Sequence, residues 1–309
     1  MRVVFMGTPE FSVPCLERLI ADGYDVVGVF TQPDKPKGRG NVLTPPPVKE
    51  TAVRHGIPVF QPRSMRSGEA LGILERLQPD VVVVTAFGKI LPSEILEFPK
   101  YGCINIHASL LPRYRGAAPI QWCVLNGETV SGVTSMQMDA GLDTGDMLLR
   151  AETPIGENMT AGELHDVLSM LGADVLSRTL SALQSGTLVP QKQDDAQSNY
   201  APMLSKELCP LDFTQSAHQV HDRIRGLYPW PIATLTAGGK TLKVHQSALC
   251  GDAGGKPGEV MESGKRFVVS CGDGRCVELL TVQAQGKKAM CAADYLRGNP
   301  IETGTILPS

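Results

Sequence analysis

Val81-Val82-Val83-Val84, followed by Thr85-Ala86-Phe87-Gly88, is the run that decides the fold. Four consecutive β-branched residues without polar alternation predict a strand buried on both faces of a parallel sheet. Upstream, residues 2–6 read as another short buried strand and residues 25–30 as the next. Between them, residues 9–21 predict a helix, with Pro14 near its first turns and Phe11, Cys15, Leu16, Leu19 and Ile20 apolar. Strands alternating with helices imply right-handed βαβ units in an open α/β sheet. Ligands of such sheets bind beyond the carboxyl ends of the strands. Three segments fall there: Gly7-Thr8-Pro9, Phe87-Gly88-Lys89 and residues 105–116.

The last of these begins in Gly102-Cys103-Ile104-Asn105-Ile106-His107-Ala108-Ser109-Leu110-Leu111-Pro112, and Arg113-Tyr114-Arg115-Gly116 follows. Ile104 and Ile106 alternate with two polar residues, so on a strand Asn105 and His107 project from one face. Asn105 offers an amide donor and acceptor, and His107 can move a proton near neutral pH. This pair suits acyl-type transfer. A polar strand end with satisfied side chains fits the spacing equally well. Asp143, in the Gly-punctuated run Met138-Asp139-Ala140-Gly141-Leu142-Asp143-Thr144-Gly145-Asp146, can place a carboxylate beside an imidazole. The plainer reading there is an Asp/Gly turn. A calcium loop does not fit, because no Glu stands at the required distance.

The bulk properties set wide bounds. A chain of 309 residues suggests two domains, and 42% hydrophobic residues suffice for a large core. The net charge of −3 rules out a globally basic nucleic-acid binder, so any basic surface must be local. The first strand is too short for a signal-peptide core. No apolar run reaches the roughly 18–20 residues of a membrane span. The eight cysteines contain no Cys-x-x-Cys pair. Cys271 and Cys276 lie closest, a spacing that does not favour zinc, so reduced thiols in a cytoplasmic protein are expected. Gly7-Thr8-Pro9-Glu10-Phe11 matches neither a dinucleotide nor an ATP fingerprint. Residues 31–49 form a long Pro/Gly-rich stretch with Lys35, Lys37, Arg39 and Lys49, and Asp34 is its only acid. It reads either as a solvated loop or as a phosphate-contacting one.

Further along, Thr160-Ala161-Gly162-Glu163 has the capping-box pattern. The helix after it carries Leu164, Val167, Leu168, Leu171, Val175, Leu176, Leu180 and Leu183 as a core stripe, with Gly186 as its stop. Residues 191–200 are polar and read as a linker. A helix is expected over residues 214–225, with His218 and His221 on its exposed face. Short β-rich runs follow, including a hairpin about Gly238-Gly239, and their spacing predicts a small barrel. The domains are therefore drawn at residues 1–189 and 206–309, with a linker at 190–205.

The run 104–112 with Arg113-Tyr114-Arg115-Gly116-Ala117-Ala118-Pro119 resembles the signature of folate-dependent formyltransferases, and residues 138–146 resemble that family's second motif. Met6-Gly7-Thr8-Pro9-Glu10-Phe11, Thr31-Gln32-Pro33-Asp34, Gly38-Arg39-Gly40, Tyr200-Ala201 and Arg225-Gly226-Leu227-Tyr228-Pro229-Trp230-Pro231 narrow the resemblance to the branch that formylates methionyl initiator tRNA. The resemblance covers essentially the whole chain. It implies a Rossmann-like N-terminal domain with a mostly parallel sheet, which binds 10-formyltetrahydrofolate, and an OB-like C-terminal barrel that helps hold the tRNA. It also implies that Asn105, His107 and Asp143 are catalytic. Asn105 and protonated His107 would donate to the oxyanion, and Asp143 would orient the histidine. Phe87, Gly88, Lys89, Ser109, Leu110, Leu111, Pro112 and Asp139 would hold the folate, without a metal. Lys35, Lys37, Arg39 and Lys49 would face the tRNA. A cytoplasmic monomer is expected. Phe87 departs from the family's more usual tyrosine, which removes a hydroxyl near the pterin pocket. Sibling formyltransferases acting on sugar nucleotides or on water, and a non-catalytic RNA-binding relative, are the competing readings.

Overall fold

The computed structural model describes residues 1–37, 40–252 and 254–308. Arg39 lies outside the described residues, as does the side chain of Lys37. The chain divides into two compact units. One comprises Met1–Gly116, Gly132–Thr153 and His165–Tyr200; the other comprises Ala117–Ser131, Pro154–Leu164 and the chain from Ala201 onward. The second unit takes in two segments embedded upstream, so no single cut separates the two.

The first unit is built on strands β1 (Arg2–Gly7), β2 (Asp25–Phe30), β3 (Val59–Phe60), β4 (Val81–Thr85), β5 (Cys103–His107), β6 (Val130–Gln137) and β7 (Met147–Pro154). They lie in the order β7-β6-β5-β4-β1-β2-β3. β1 pairs in parallel with β2 and β4, and β4 with β5, while β6 runs antiparallel to β5. This is the mostly parallel α/β sheet expected. β4 is buried along its whole length, as its unbroken valines require. The order reverses between β1 and β4, whose carboxyl ends meet where Gly7 pairs with Thr85. That reversal is the place where open α/β sheets leave a crevice.

Helices α1 (Val13–Ala21), α2 (Pro47–Arg54), α3 (Glu69–Leu77) and the short α4 (Ser93–Leu96) connect these strands. α1 starts later than expected, because residues 10–12 form a 3-10 turn and Pro14 falls in the first helical turn, where its missing N–H costs nothing. On one face of the sheet, Val4, Met6, Val82 and Val84 pack with Ile73 and Leu74 of α3. The helix after the capping box, Ala161–Ser185, stops at Gly186 with φ +68°. Thr160 N–H donates to Glu163 at 2.8 Å and Glu163 N–H to the Thr160 hydroxyl at 3.2 Å. Leu164, Leu168, Val175, Leu176 and Leu180 are buried as expected, but Val167 is exposed and drops out of the stripe.

The second unit holds α5 (Pro119–Leu125), α7 (Ala217–Gly226) and the antiparallel strands β8 (Ala233–Ala237), β9 (Lys240–Asp252), β10 (Val260–Ser263), β11 (Phe267–Ser270) and β12 (Arg275–Ala284), with α6 denoting the helix Ala161–Ser185 that precedes them. The strand order is β8-β9-β12-β11-β10, consistent with a small barrel. Gly238 and Gly239 turn the β8–β9 hairpin with φ +55° and +73°, the double positive φ that tight hairpins demand. α7 begins at 217 because Asp212 draws the Thr214 N–H and hydroxyl into a turn, and Ser216 with Gln219 forms the capping box. Its Val220 and Ile224 join Phe213, Val244 and Val277 in the core.

His221 corrects an expectation. It is buried, not exposed, with Nδ1 2.8 Å from the Ser247 hydroxyl and Nε2 3.0 Å from the Glu157 carbonyl oxygen. Burial pushes its pKa below the ordinary histidine value. One turn along, Arg225 and Asp222 form a buried pair at 2.7 Å.

Candidate active site

The site grows from the carboxyl end of β5. Pairing with β6 sets Asn105 opposite Met136 and His107 opposite Thr134. Ile104 and Ile106 are buried on the other face. The Asn105 side-chain amide makes no hydrogen bond among the described residues, and its half-buried position leaves it open to a ligand.

The two ring nitrogens of His107 have different neighbours. Nε2 lies 2.9 Å from the Tyr114 carbonyl oxygen. A carbonyl only accepts, so Nε2 carries the hydrogen and donates. Nδ1 therefore faces the Asp143 carboxylate, at 3.7 Å from Oδ2. That is ion-pair range and longer than a hydrogen bond. A proton taken up at Nδ1 meets a negative charge.

Both partners of His107 are held in unusual backbone conformations. Tyr114 has φ +60° and Asp143 φ +54°, a region that Asp visits and a bulky residue avoids. Neighbours hold each in place. Tyr114 N–H donates to Asn199 Oδ1 at 2.5 Å, and Gly116 N–H to Asp143 Oδ2 at 2.9 Å. Asp139 shapes the same turn, accepting from the Gly141 N–H at 3.0 Å and the Thr144 hydroxyl at 2.7 Å.

The loop after β5 is clamped by Thr134. Its hydroxyl donates to the Ser109 carbonyl at 2.7 Å and accepts the Leu111 N–H at 3.1 Å. The Ser109 hydroxyl closes the turn on the Arg113 carbonyl at 2.6 Å. The Leu111–Pro112 bond is cis. Leu110 fits because residue 132 is glycine; a Cβ there would lie 2.5 Å from its Cδ2.

The loop after β4 is anchored to both neighbouring strand ends. Gln32 Nε2 donates to the carbonyls of Phe87 and Gly88 at 3.1 Å each, and the Thr8 hydroxyl reaches Phe87 O at 3.3 Å. The Phe87 ring is buried in the core. The Lys89 ammonium donates to the carbonyls of Pro62 and Arg63, and burial lowers its pKa.

Lys35 stands exposed on a small hairpin, Lys35–Lys37 with Val42–Thr44, whose Val42 and Leu43 are also exposed. Lys49 is engaged lower down, 2.8 Å from Asp34 and 2.9 Å from Gln61 Oε1. The Lys49 and Gln61 hydrogen bonds lower the Asp34 pKa. Among the described residues no group of three or more His, Cys, Asp or Glu side chains is arranged to hold a metal, and no helix is long and apolar enough to cross a membrane.

Sequence reasoning missed Thr134, Gln193 and Asn199. Thr134 is findable once β5 and β6 are paired. Gln193 and Asn199 lie in the polar segment that reads as a linker, yet that segment is hydrogen-bonded into the first unit at the site.

Residues 1–180 match the formyl transferase family and residues 203–300 the formyl transferase C-terminal domain. The methionyl-tRNA formyltransferase of Trichlorobacter lovleyi is 52% identical over 307 residues, covering 99% of this chain and 96% of that protein. Those of Geobacter metallireducens (52%; 99% and 98% covered) and Clostridium novyi (49%; 99% and 100%) are similar. Among solved structures, an N-formyltransferase from Helicobacter canadensis in complex with folinic acid and dTDP-3-aminofucose has a TM-score of 0.69 at 21% identity, covering 91% of this chain and 98% of that one. HypX from Aquifex aeolicus in complex with tetrahydrofolic acid scores 0.63 at 17% identity, covering 100% and 51%. At these identities the two structures show a shared fold.

Proposed function

The chain belongs to the formyl transferase family, and we propose that it transfers the formyl group of 10-formyltetrahydrofolate to the α-amino group of methionyl initiator tRNA. Relatives named methionyl-tRNA formyltransferase, sharing about half its residues over nearly its whole length, support that acceptor. The folates in two structural neighbours support the donor class.

The observation that carries the reading is the unpartnered Asn105 amide on the same strand face as His107, whose Nδ1 faces Asp143 at 3.7 Å. The amine attacks the formyl carbon, and the carbonyl electron pair moves onto oxygen. Asn105 N–H donates to that oxyanion and the positive charge of protonated His107, its Nδ1–H turned to Asp143, stabilises it, both groups held by a rigid strand end without reorganisation. Collapse of the tetrahedral intermediate breaks the bond to folate N10. The amine loses one proton and N10 gains one, with His107 and Asp143 as the nearest carriers. The loops 87–89 and 109–112, with Asp139, hold the donor. Lys35, Lys37 and Arg39 contact tRNA phosphates, with Lys49 at the base of their loop, and the second unit adds a backbone-binding surface. The protein acts as a cytoplasmic monomer.

The test is formylation of charged initiator against elongator tRNA, for the wild type, His107→Ala and Asn105→Ala. Each variant is expected to lose on the order of 10²–10⁴ in turnover with donor binding largely kept. Near-normal turnover by either one overturns the assignment.

A further inference from the structure

Gln193 lies outside the loops assigned to donor and acceptor, yet its amide is used to capacity at the site. Nε2 donates to the backbone carbonyls of Asp143 at 2.8 Å and Gly145 at 2.7 Å. Oε1 accepts from Arg115 Nε at 3.0 Å and Nη2 at 2.8 Å. Arg115 Nη2 continues to Asp195 at 2.7 Å.

This one side chain therefore joins two backbone runs that contact opposite nitrogens of His107. Residues 114–116 supply the carbonyl that takes Nε2–H and the Gly116 N–H that holds Asp143 Oδ2. The turn at 143–145 supplies the carboxylate that faces Nδ1. Asp143 sits at φ +54°, a conformation that persists when its surroundings over-determine it. Two donors from one amide, on the carbonyls of residues 143 and 145, provide that constraint. We propose that Gln193 is a positioning residue that sets the His107–Asp143 separation by tying Arg115 to the Asp143 turn. The proposal rests on the reading that His107 and Asp143 carry the formyl transfer. Gln193 touches neither the 87–89 nor the 109–112 loop in the hydrogen bonds above, and in the turn it bonds residues 143 and 145 while Asp139 is held separately by Gly141 and Thr144, so its effect falls mainly on turnover.

The test compares Gln193→Ala, Gln193→Glu and His107→Ala with the wild type. It measures kcat, the KM for donor, the pH profile of kcat and the melting temperature. Gln193→Ala is expected to lower kcat at least about tenfold, because small misplacements of reacting groups are costly. Donor KM should stay within about twofold, the signature of an interaction felt in the transition state. The pH profile should shift as the carboxylate leaves the ring. Gln193→Glu keeps the acceptor for Arg115 but sets an anion against two carbonyls, so it should be as impaired as Ala. A wild-type kcat and pH profile in Gln193→Ala, or full activity in Gln193→Glu, overturns the positioning role. So does a lowered melting temperature with an unchanged pH profile. If His107→Ala also keeps wild-type activity, the catalytic reading itself fails; if only the Gln193 variants do, this proposal alone fails.

Discussion

Replacing Thr134 by valine removes one hydroxyl and almost no volume, which makes its consequences traceable. The residue is fully buried on β6 opposite His107. Valine leaves the Leu111 N–H and the Ser109 C=O without the partner they have at 3.1 and 2.7 Å. A buried polar group left unsatisfied costs about 1–3 kcal/mol. Two of them set an upper range of about 2–6 kcal/mol, and the loop recovers part of this by loosening towards solvent. A net loss of about 2 kcal/mol lowers the melting temperature by about 4–8 °C for a domain of this size. The loosened loop must then be reordered whenever donor binds, so donor KM should rise about tenfold, equivalent to about 1.4 kcal/mol. Steady-state kinetics with varied donor and a thermal melt measure both. Thr134→Ser restores the hydroxyl and should restore both quantities. A Thr134→Val protein with wild-type melting temperature and donor KM refutes the clamp. A serine variant as impaired as valine shows that the hydroxyl alone does not hold the loop and that the methyl group is needed as well.

Two further outcomes follow from features away from the reacting atoms. Neutralising Lys35, Lys37 and Arg39 together should raise the KM for tRNA and flatten its dependence on salt, because each lost phosphate contact removes about 0.7–0.9 from the log–log slope; an unchanged slope excludes the loop from tRNA contact. His221 is held below its ordinary pKa by burial, so between that lowered value and about pH 6.5 the unfolded chain binds more protons than the folded one. The stability it contributes is present above about pH 6.5 and is lost as pH falls through the folded pKa. His221→Gln should lose less stability than the wild type between about pH 6.5 and 5, and parallel urea-melt curves over that range contradict the account.

The parts of the molecule that were legible in sequence are those with a local physical signature. Val81–Val84 announced a strand buried on both faces because such a strand has no solvated side to encode. The alternation around Asn105 and His107 placed them on one face, since period 2 is a property of the strand itself. Thr160 with Glu163, and Gly238-Gly239, marked ends and turns whose hydrogen bonds are local. Gln193 and Asn199 left no such trace. Their partners are distant in sequence, and a polar segment satisfied by long-range hydrogen bonds has the same composition as one satisfied by water. His221 was misplaced for a related reason: its burial depends on Ser247 and Glu157, which the helix pattern of α7 does not contain.

The interleaving of the two units bears on how the protein is made. Ala117–Ser131 leaves the ribosome long before Val220, Ile224 and Leu227, yet Trp122 and Leu125 pack against the core those residues build. The nascent chain therefore carries a helix whose Trp122 and Leu125 have no cover until the last third of the polypeptide is synthesised. A chain ending at Tyr200 retains that helix and never receives its cover, so shortened forms should be sticky and short-lived. The second unit can therefore be completed only once the last third of the chain has emerged.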